Sequence, residues 1–314
     1  MKKNKRLLQD SRTARTARTV RKSPLWASRA MVAALALMLA LFGLFGCAQP
    51  AQDGGADGQA GEQDTPAPSA PVVELQAFAA NSLEKALPEV QALYTKANPN
   101  VTFADTQFKG SGDLVAEIEG GAAPDLLITA SKGSMDNAVE NGSMDEGSRR
   151  DMFANDLVIA RAIGSDTKIN ALTDVLGEGI TSIAIGDADA VPAGQYANQA
   201  LFTIGAYSDE SGKEGSYDAA IEPKLSIAAS VGNAAKYVES GDCQIGFVYS
   251  SDIFRFPGIE TVFVLPADTH KPIVYPGAVL KGSANAEVAA DFLAFCQNDP
   301  EAQRVWAQYG FEVL

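Results

Sequence analysis

The chain has 314 residues, with 25 Lys and Arg against 39 Asp and Glu, a net charge of −14, three cysteines and one histidine. So acidic a balance argues against nucleic acid and anionic lipid as partners. Three cysteines and a lone His270 leave no disulfide framework and no Cys/His cluster for a metal.

Residues 1–29 carry ten Lys or Arg against one acid, Asp10, and an unbroken apolar run then leads from Ala30 to Gly46. A basic segment, an apolar segment and a small residue before a cut site make an export signal over 1–46. The run is short for a membrane-spanning anchor. Leu44-Phe45-Gly46-Cys47 resembles a bacterial lipobox, which implies acylation at Cys47. The folded part is then expected outside the cytoplasm, lipid-anchored at the outer face of the cytoplasmic membrane or periplasmic. Residues 47–71 read as a flexible tether: past Cys47 they contain no aromatic or branched aliphatic residue and cannot bury enough apolar surface to order. Residues 72–314 form the folded part, 243 residues, enough for two modest domains or one large one.

Outside the leader the balance is 15 Lys and Arg against 38 Asp and Glu, a net charge of −23. Such a surface repels small anions at long range, so an anion site here must win by local geometry. Cys243 and Cys296 read as buried small apolar residues.

Val72 to Phe78 predicts a strand, and Asn81-Ser82 opens a helical pattern with Pro88 inside it, so a kink or a late start near Pro88 is expected. Asn98-Pro99 stops that helix. Val101 to Ala104 predicts a strand, Asp113 to Glu119 a helix ended by Gly120-Gly121, and Asp125 to Thr129 a third strand. A second series follows, with strands at 157–160, 183–185, 244–249, 262–265 and 273–280. Its helices are expected at 195–205, from Val231 or Gly232, at 284–297 and at 301–309. Alternation of strands and helices predicts right-handed βαβ units and parallel sheets, in two α/β lobes.

Four loops between a strand and a helix start share one design: Ala79-Ala80-Asn81-Ser82, Gly110-Ser111-Gly112, Pro192-Ala193-Gly194 and Ser230-Val231-Gly232. First-turn amides carry no intrahelical acceptor and a partial positive charge, which suits an anion. Residue type alone leaves Pro192-Ala193-Gly194 open between an ordinary turn and an anion site. Ser82 and Ser111 could each be caps of their own helices. Tyr249 at a strand end could be core or ligand.

Taken together and in order, Phe78-Ala79-Ala80-Asn81-Ser82-Leu83, Gly121-Ala122-Ala123-Pro124-Asp125-Leu126, Val191-Pro192-Ala193-Gly194-Gln195-Tyr196-Ala197 and Gly246-Phe247-Val248-Tyr249-Ser250-Ser251-Asp252 resemble the molybdate-binding proteins of ABC importers. The closing Trp306-Ala307-Gln308-Tyr309-Gly310-Phe311 matches that family's ending. The resemblance covers 72–314 and implies a type II periplasmic-binding fold, two α/β lobes with mixed, mainly parallel sheets joined by two hinge crossings. It implies 72–155 with 258–314 as lobe I and 156–257 as lobe II, closing on molybdate or tungstate, with no catalysis and no cofactor. It implies five contacts: hydroxyl and amide from Ser82 and Ser111, amides from Ala193 and Val231, and the phenol of Tyr249. The implied partners are an ABC permease and its ATPase, for a monomer anchored through Cys47. The chain departs from the family at Asn81, where alanine is usual, and at Lys109 to Asp113, where a serine-rich run is usual. Asp113 must therefore face away from the anion or be screened.

None of the five positions carries a charge, so hydrogen-bond donors alone would hold the ligand. Such a site favours fully ionised tetrahedral oxyanions, sulfate included, over a phosphate whose proton needs an acceptor. A ligand sensor remains an alternative. An exported hydrolase fits least: there is no Gly-x-Ser-x-Gly elbow and only His270 as a base.

Overall fold

The computed structural model describes residues 71–314; the expectations for the leader and most of the tether, Cys47 included, lie outside the described residues. The chain opens with β1 (Val73–Leu75), β2 (Ala77–Ala80), α1 (Ala86–Ala97), β3 (Val101–Phe103), β4 (Gln107–Lys109), α2 (Ser111–Glu119), β5 (Leu126–Ile128), α3 (Lys132–Glu140) and β6 (Arg150–Asn155). It continues with β7 (Leu157–Ala162), β8 (Ile183–Gly186), α4 (Pro192–Thr203), β9 (Leu225–Ala228), α5 (Val231–Glu239), β10 (Ile245–Tyr249), α6 (Ser250–Arg255) and β11 (Ile259–Val264). It closes with β12 (Ile273–Val279), α7 (Ala286–Asn298), α8 (Pro300–Gln308) and β13 (Glu312–Val313).

Two sheets organise these elements. One has the order β13-β6-β12-β5-β2-β4, the other β11-β7-β10-β8-β9, and β1 and β3 form a separate parallel pair. The parallel character expected from alternation holds where β-α-β units build the sheets, at β4-β2-β5 and β9-β8-β10. The strands that carry the chain between sheets, β6, β7, β11 and β12, pair antiparallel with their remaining neighbours. The chain crosses first at Asp156, between β6 and β7. It returns between Val264 and Ile273, because β11 pairs with β7 in the second sheet. The expected boundary at 258 is therefore corrected: the second lobe's sheet runs to Val264.

Local chemistry accounts for the helix starts. Asn81–Leu83 form a single 3-10 turn and α1 begins late, which places Pro88 in its first turn, where the missing N–H costs no helical bond. Pro192 occupies the first position of α4, three residues ahead of the expected start. Gly194 has a specific packing reason. A Cβ there would collide with the Gly186 carbonyl, so glycine lets the helix lie directly against the strand.

The first sheet is buried on both faces. Leu114, Leu127, Met135 and Ala278 pack beneath α2 and α3, while Leu87, Phe153, Phe292 and Trp306 pack on the side of α1, α7 and α8. Trp306 stacks 4.1 Å from Phe153 and donates its indole N–H to the Cys296 carbonyl at 2.9 Å. Cys243 and Cys296 are free and buried, as expected. No helix of the described residues is long and apolar enough to cross a membrane.

Candidate binding cleft

Five loops at strand ends converge between the lobes. Ser82 follows β2, Ser111 is the first residue of α2, Ala193 the second of α4 and Val231 the first of α5, while Tyr249 ends β10. The amides of Ser111, Ala193 and Val231 belong to first helical turns and have no acceptor within their own helices. All five predicted residues line one cavity, together with Asn81, Lys109 and Pro192 among others. No Asp or Glu lines it. It is small, with room for little more than a water molecule, which excludes a sugar or a peptide.

The hydroxyls are not helix caps. Neither the 3-10 turn at Asn81 nor α2 has a side-chain cap, whereas Ser230 does cap α5, accepting from the Asn233 amide at 3.1 Å. Ser111 Oγ instead accepts the Ala130 N–H at 2.9 Å, which leaves its own hydrogen free for the cavity. Ser82 Oγ lies 3.0 Å from Tyr275 Oη. The Tyr249 hydroxyl is fully buried and has no hydrogen-bond partner among the described residues. Burial, then the neighbouring Tyr275, push its phenol well above the ordinary value, so it remains a neutral O–H donor. A buried hydroxyl without a partner is rare enough to need an explanation, and this one lines the cavity.

Asn81 and, behind the cavity, Arg255 are tied into the cleft in ways that the sequence signals only weakly. The Asn81 side chain crosses the cleft and accepts the Gly232 N–H at 3.0 Å, with Arg255 Nη2 at 3.4 Å. Arg255 also donates to Glu84 at 2.8 Å and to Asp252 at 2.6 Å, and Asp252 accepts the Tyr249 amide at 3.0 Å. The Arg255 and Asp252 side chains are 2% and 0% exposed. Burial raises the Asp252 carboxyl and the Arg255 charge pulls against it. A second bridge joins the lobes where the Gly112 N–H reaches the Ala190 carbonyl at 3.0 Å. A Cβ on Gly112 would stand 2.8 Å from the Asp189 carbonyl oxygen, so only glycine allows this approach. The sequence trace of Arg255 is the Asp-x-x-Arg spacing on α6, which an ordinary surface pair also gives.

The remaining expectations are resolved by position. Asp113 is exposed and is not among the residues lining the cavity, although its carboxylate lies beside Gly110, which is. Lys109 lines the cavity but pairs with Glu117. His270 sits at the turn before β12, its Nδ1 against the Lys271 carbonyl at 2.8 Å. Among the described residues no group of three or more His, Cys, Asp or Glu is placed to hold a metal ion.

The family described as bacterial extracellular solute-binding protein matches residues 75–312. The molybdate-binding protein ModA of Escherichia coli is 33% identical over 249 residues, 76% of this chain and 89% of that protein. The putative ABC transporter substrate-binding lipoprotein YvgL of Bacillus subtilis is 29% identical over 239 residues, 76% of this chain and 86% of that one. Among solved structures, the substrate-binding domain of a putative molybdenum ABC transporter from Clostridium difficile is 30% identical with a TM-score of 0.58, covering 77% of this chain and 99% of that one. The Azotobacter vinelandii periplasmic molybdate-binding protein, 21% identical with a TM-score of 0.64 over 76% of this chain and 99% of that one, shares the fold. These relatives are solute-binding proteins, not enzymes. The chain belongs to the bacterial extracellular solute-binding proteins, in the family of the molybdate-binding proteins of ABC importers.

Proposed function

We propose that this chain captures molybdate or tungstate in the cleft between its lobes and delivers it to an ABC permease and its ATPase. The observation that carries the reading is the cavity itself: Ser82, Ser111, Ala193, Val231 and Tyr249 meet around one small volume with no carboxylate in its wall. The similarity to the E. coli protein, named for molybdate, supports the ligand class. Hydrogen bonds to a charged partner contribute roughly 1.5–3 kcal/mol each, so five to seven suffice for tight capture without a single cationic ligand. Donors fixed on helix N-termini need no reorganisation when the anion arrives.

Closure joins Asn81 to Gly232 and Gly112 to Ala190, and the two crossings, at Asp156 and between Val264 and Ile273, act as the hinge. The five residues bind as the resemblance implies, Ser82 and Ser111 from one lobe facing Ala193, Val231 and Tyr249 from the other. The lipobox-like Leu44 to Cys47 supports a lipid-anchored monomer outside the cytoplasm, tethered by 47–71.

Calorimetric titration with molybdate, tungstate, sulfate and phosphate tests the assignment. Tight binding of the first two, weaker sulfate and still weaker phosphate are expected. No binding of molybdate or tungstate alongside tight binding of sulfate would overturn it in favour of a sulfate carrier.

A further inference from the structure

Ser82 is linked through Tyr275 to Asn155 at the first crossing. Asn155, the last residue of β6, stands at the first crossing. Its Oδ1 accepts the Asp156 amide at 2.9 Å and the Ser250 hydroxyl at 2.7 Å. A backbone N–H can only donate, so Oδ1 must face it and Nδ2 must face the other way. Nδ2 then donates to Ser251 Oγ at 2.9 Å and to Tyr275 Oη at 3.2 Å. Tyr275 is fully buried, and burial drives its phenol far above the ordinary value, so it keeps its proton at any physiological pH. With one lone pair occupied by Asn155, its single hydrogen has Ser82 Oγ, 3.0 Å away, as acceptor. The opposite arrangement would leave a buried phenol hydrogen without a partner, which costs more than the bond it replaces.

We propose that Asn155 and Tyr275 are positioning residues that fix Ser82 as a donor toward the cleft, through the one-way chain Asp156 N–H, Asn155, Tyr275, Ser82. Neither side chain is among the residues lining the cavity. Their effect is to aim the Ser82 hydrogen at the ligand, and to occupy one of the two lone pairs with which Ser82 could accept a hydrogen bond from a protonated anion. Ser111 reaches the same polarity by a shorter route, from the Ala130 amide. Because Asn155 also holds Ser250 and Ser251 of the other lobe, the donor polarity of Ser82 is tied to the geometry of the crossing.

The inference rests on the oxyanion reading of the cleft, and the test separates the two. Molybdate and inorganic phosphate are titrated at pH 7 into the wild type, Tyr275→Phe, Asn155→Asp and the double variant, with thermal unfolding of each. Tyr275→Phe keeps the shape of the core but frees the Ser82 rotor, so the preference for molybdate over phosphate is expected to fall about tenfold, with the unfolding midpoint little changed. Asn155→Asp presents two acceptors, draws the Tyr275 hydrogen to itself and turns the Ser82 hydrogen away from the ligand, weakening molybdate by about tenfold or more. Once Tyr275→Phe has cut the chain, adding Asn155→Asp is expected to cost less than about threefold.

Equal losses for Asn155→Asp with and without Tyr275 would show a simple field effect of the new charge and overturn the proposal. So would a Tyr275→Phe protein with unchanged affinities for both anions. If Asn155→Asp does not fold, the Tyr275→Phe selectivity decides alone. A wild type that does not bind molybdate overturns the molybdate reading of the cleft and this inference with it.

Discussion

The wall of the cavity and the clasp just behind it are built on opposite principles. The cavity presents hydroxyls and first-turn amides with no carboxylate in its lining. The clasp is a buried ion pair, Arg255 with Asp252, extended by Asn81 and Glu84 across the lobes. A charged wall would bind anions of any shape and compete with the ligand's own neutralisation. Fixed neutral donors select by direction and number instead. The clasp contacts the cavity only through Asn81 and through the Tyr249 amide, so charge is used for holding the lobes in register and kept away from recognition. An acidic surface makes this division necessary, because long-range attraction contributes nothing to capture.

The comparison breaks most visibly at Arg255. Replacing Arg255 with Met leaves Asp252 fully buried and unpaired beside the Tyr249 amide, and removing one partner of a buried pair costs about 3–5 kcal/mol. Urea unfolding of the ligand-free protein is expected to show that loss. A change under about 1 kcal/mol would mean that Asp252 is neutral and the clasp is not ionic. Tyr249→Phe should act in the opposite sense on the two properties. It removes a buried hydroxyl without a partner, so ligand-free stability is expected to hold or rise. Molybdate affinity is expected to fall by roughly 1.5–3 kcal/mol, the value of one hydrogen bond to a charged group. Calorimetry and thermal unfolding on the same preparation check both signs.

The half of this comparison that is legible in the sequence is the half made locally. A strand followed by Pro192, Gly194 and a helix declares a helix start within a dozen residues, and the same holds at Ser111 and Val231. Those signals mark the loops that line the cavity. The clasp and the Asn155 chain are made of partners far apart: Arg255 meets Glu84 171 residues away, and Tyr275 meets Ser82 193 residues away. No periodicity records such pairings. Strands β4 and β9 escape the sequence reading for a different reason. They lie at sheet edges, with patterns half open to solvent, and so lack the apolar run that marks a central strand. The boundary at 258 falls short because β11 continues the second sheet by antiparallel pairing, which alternation of strands and helices does not encode.

Asn81 sharpens the comparison from the side of closure. Its Oδ1 accepts from Gly232 across the cleft, next to the Val231 amide expected at the ligand. Asn81→Ala removes the Gly232 bond and the longer 3.4 Å contact from Arg255, both made only when the lobes meet and together worth about 1 kcal/mol. Stopped-flow release of molybdate is expected to quicken about fivefold, with the association rate little changed. Equal slowing of association would place Asn81 in the open state as well.

The smallest effect is the most discriminating, because a wall whose one charged residue, Lys109, is paired with Glu117 should ignore pH. The Tyr249 phenol is raised by burial and by Tyr275, so the neutral form is the folded form. A group whose folded pKa is raised contributes stability that is complete below its unfolded value, about 10 for tyrosine, and lost as pH rises through the folded value. Affinity for molybdate is therefore expected to stay flat between about pH 7 and 9, with stability declining only above about pH 10. Affinity that drops between pH 7 and 9 while the protein remains folded would require an ionising group at the ligand. Lys109, the one base in the lining, would be the first to examine, by Lys109→Met, and the division between a neutral wall and a charged clasp would have to be redrawn around it.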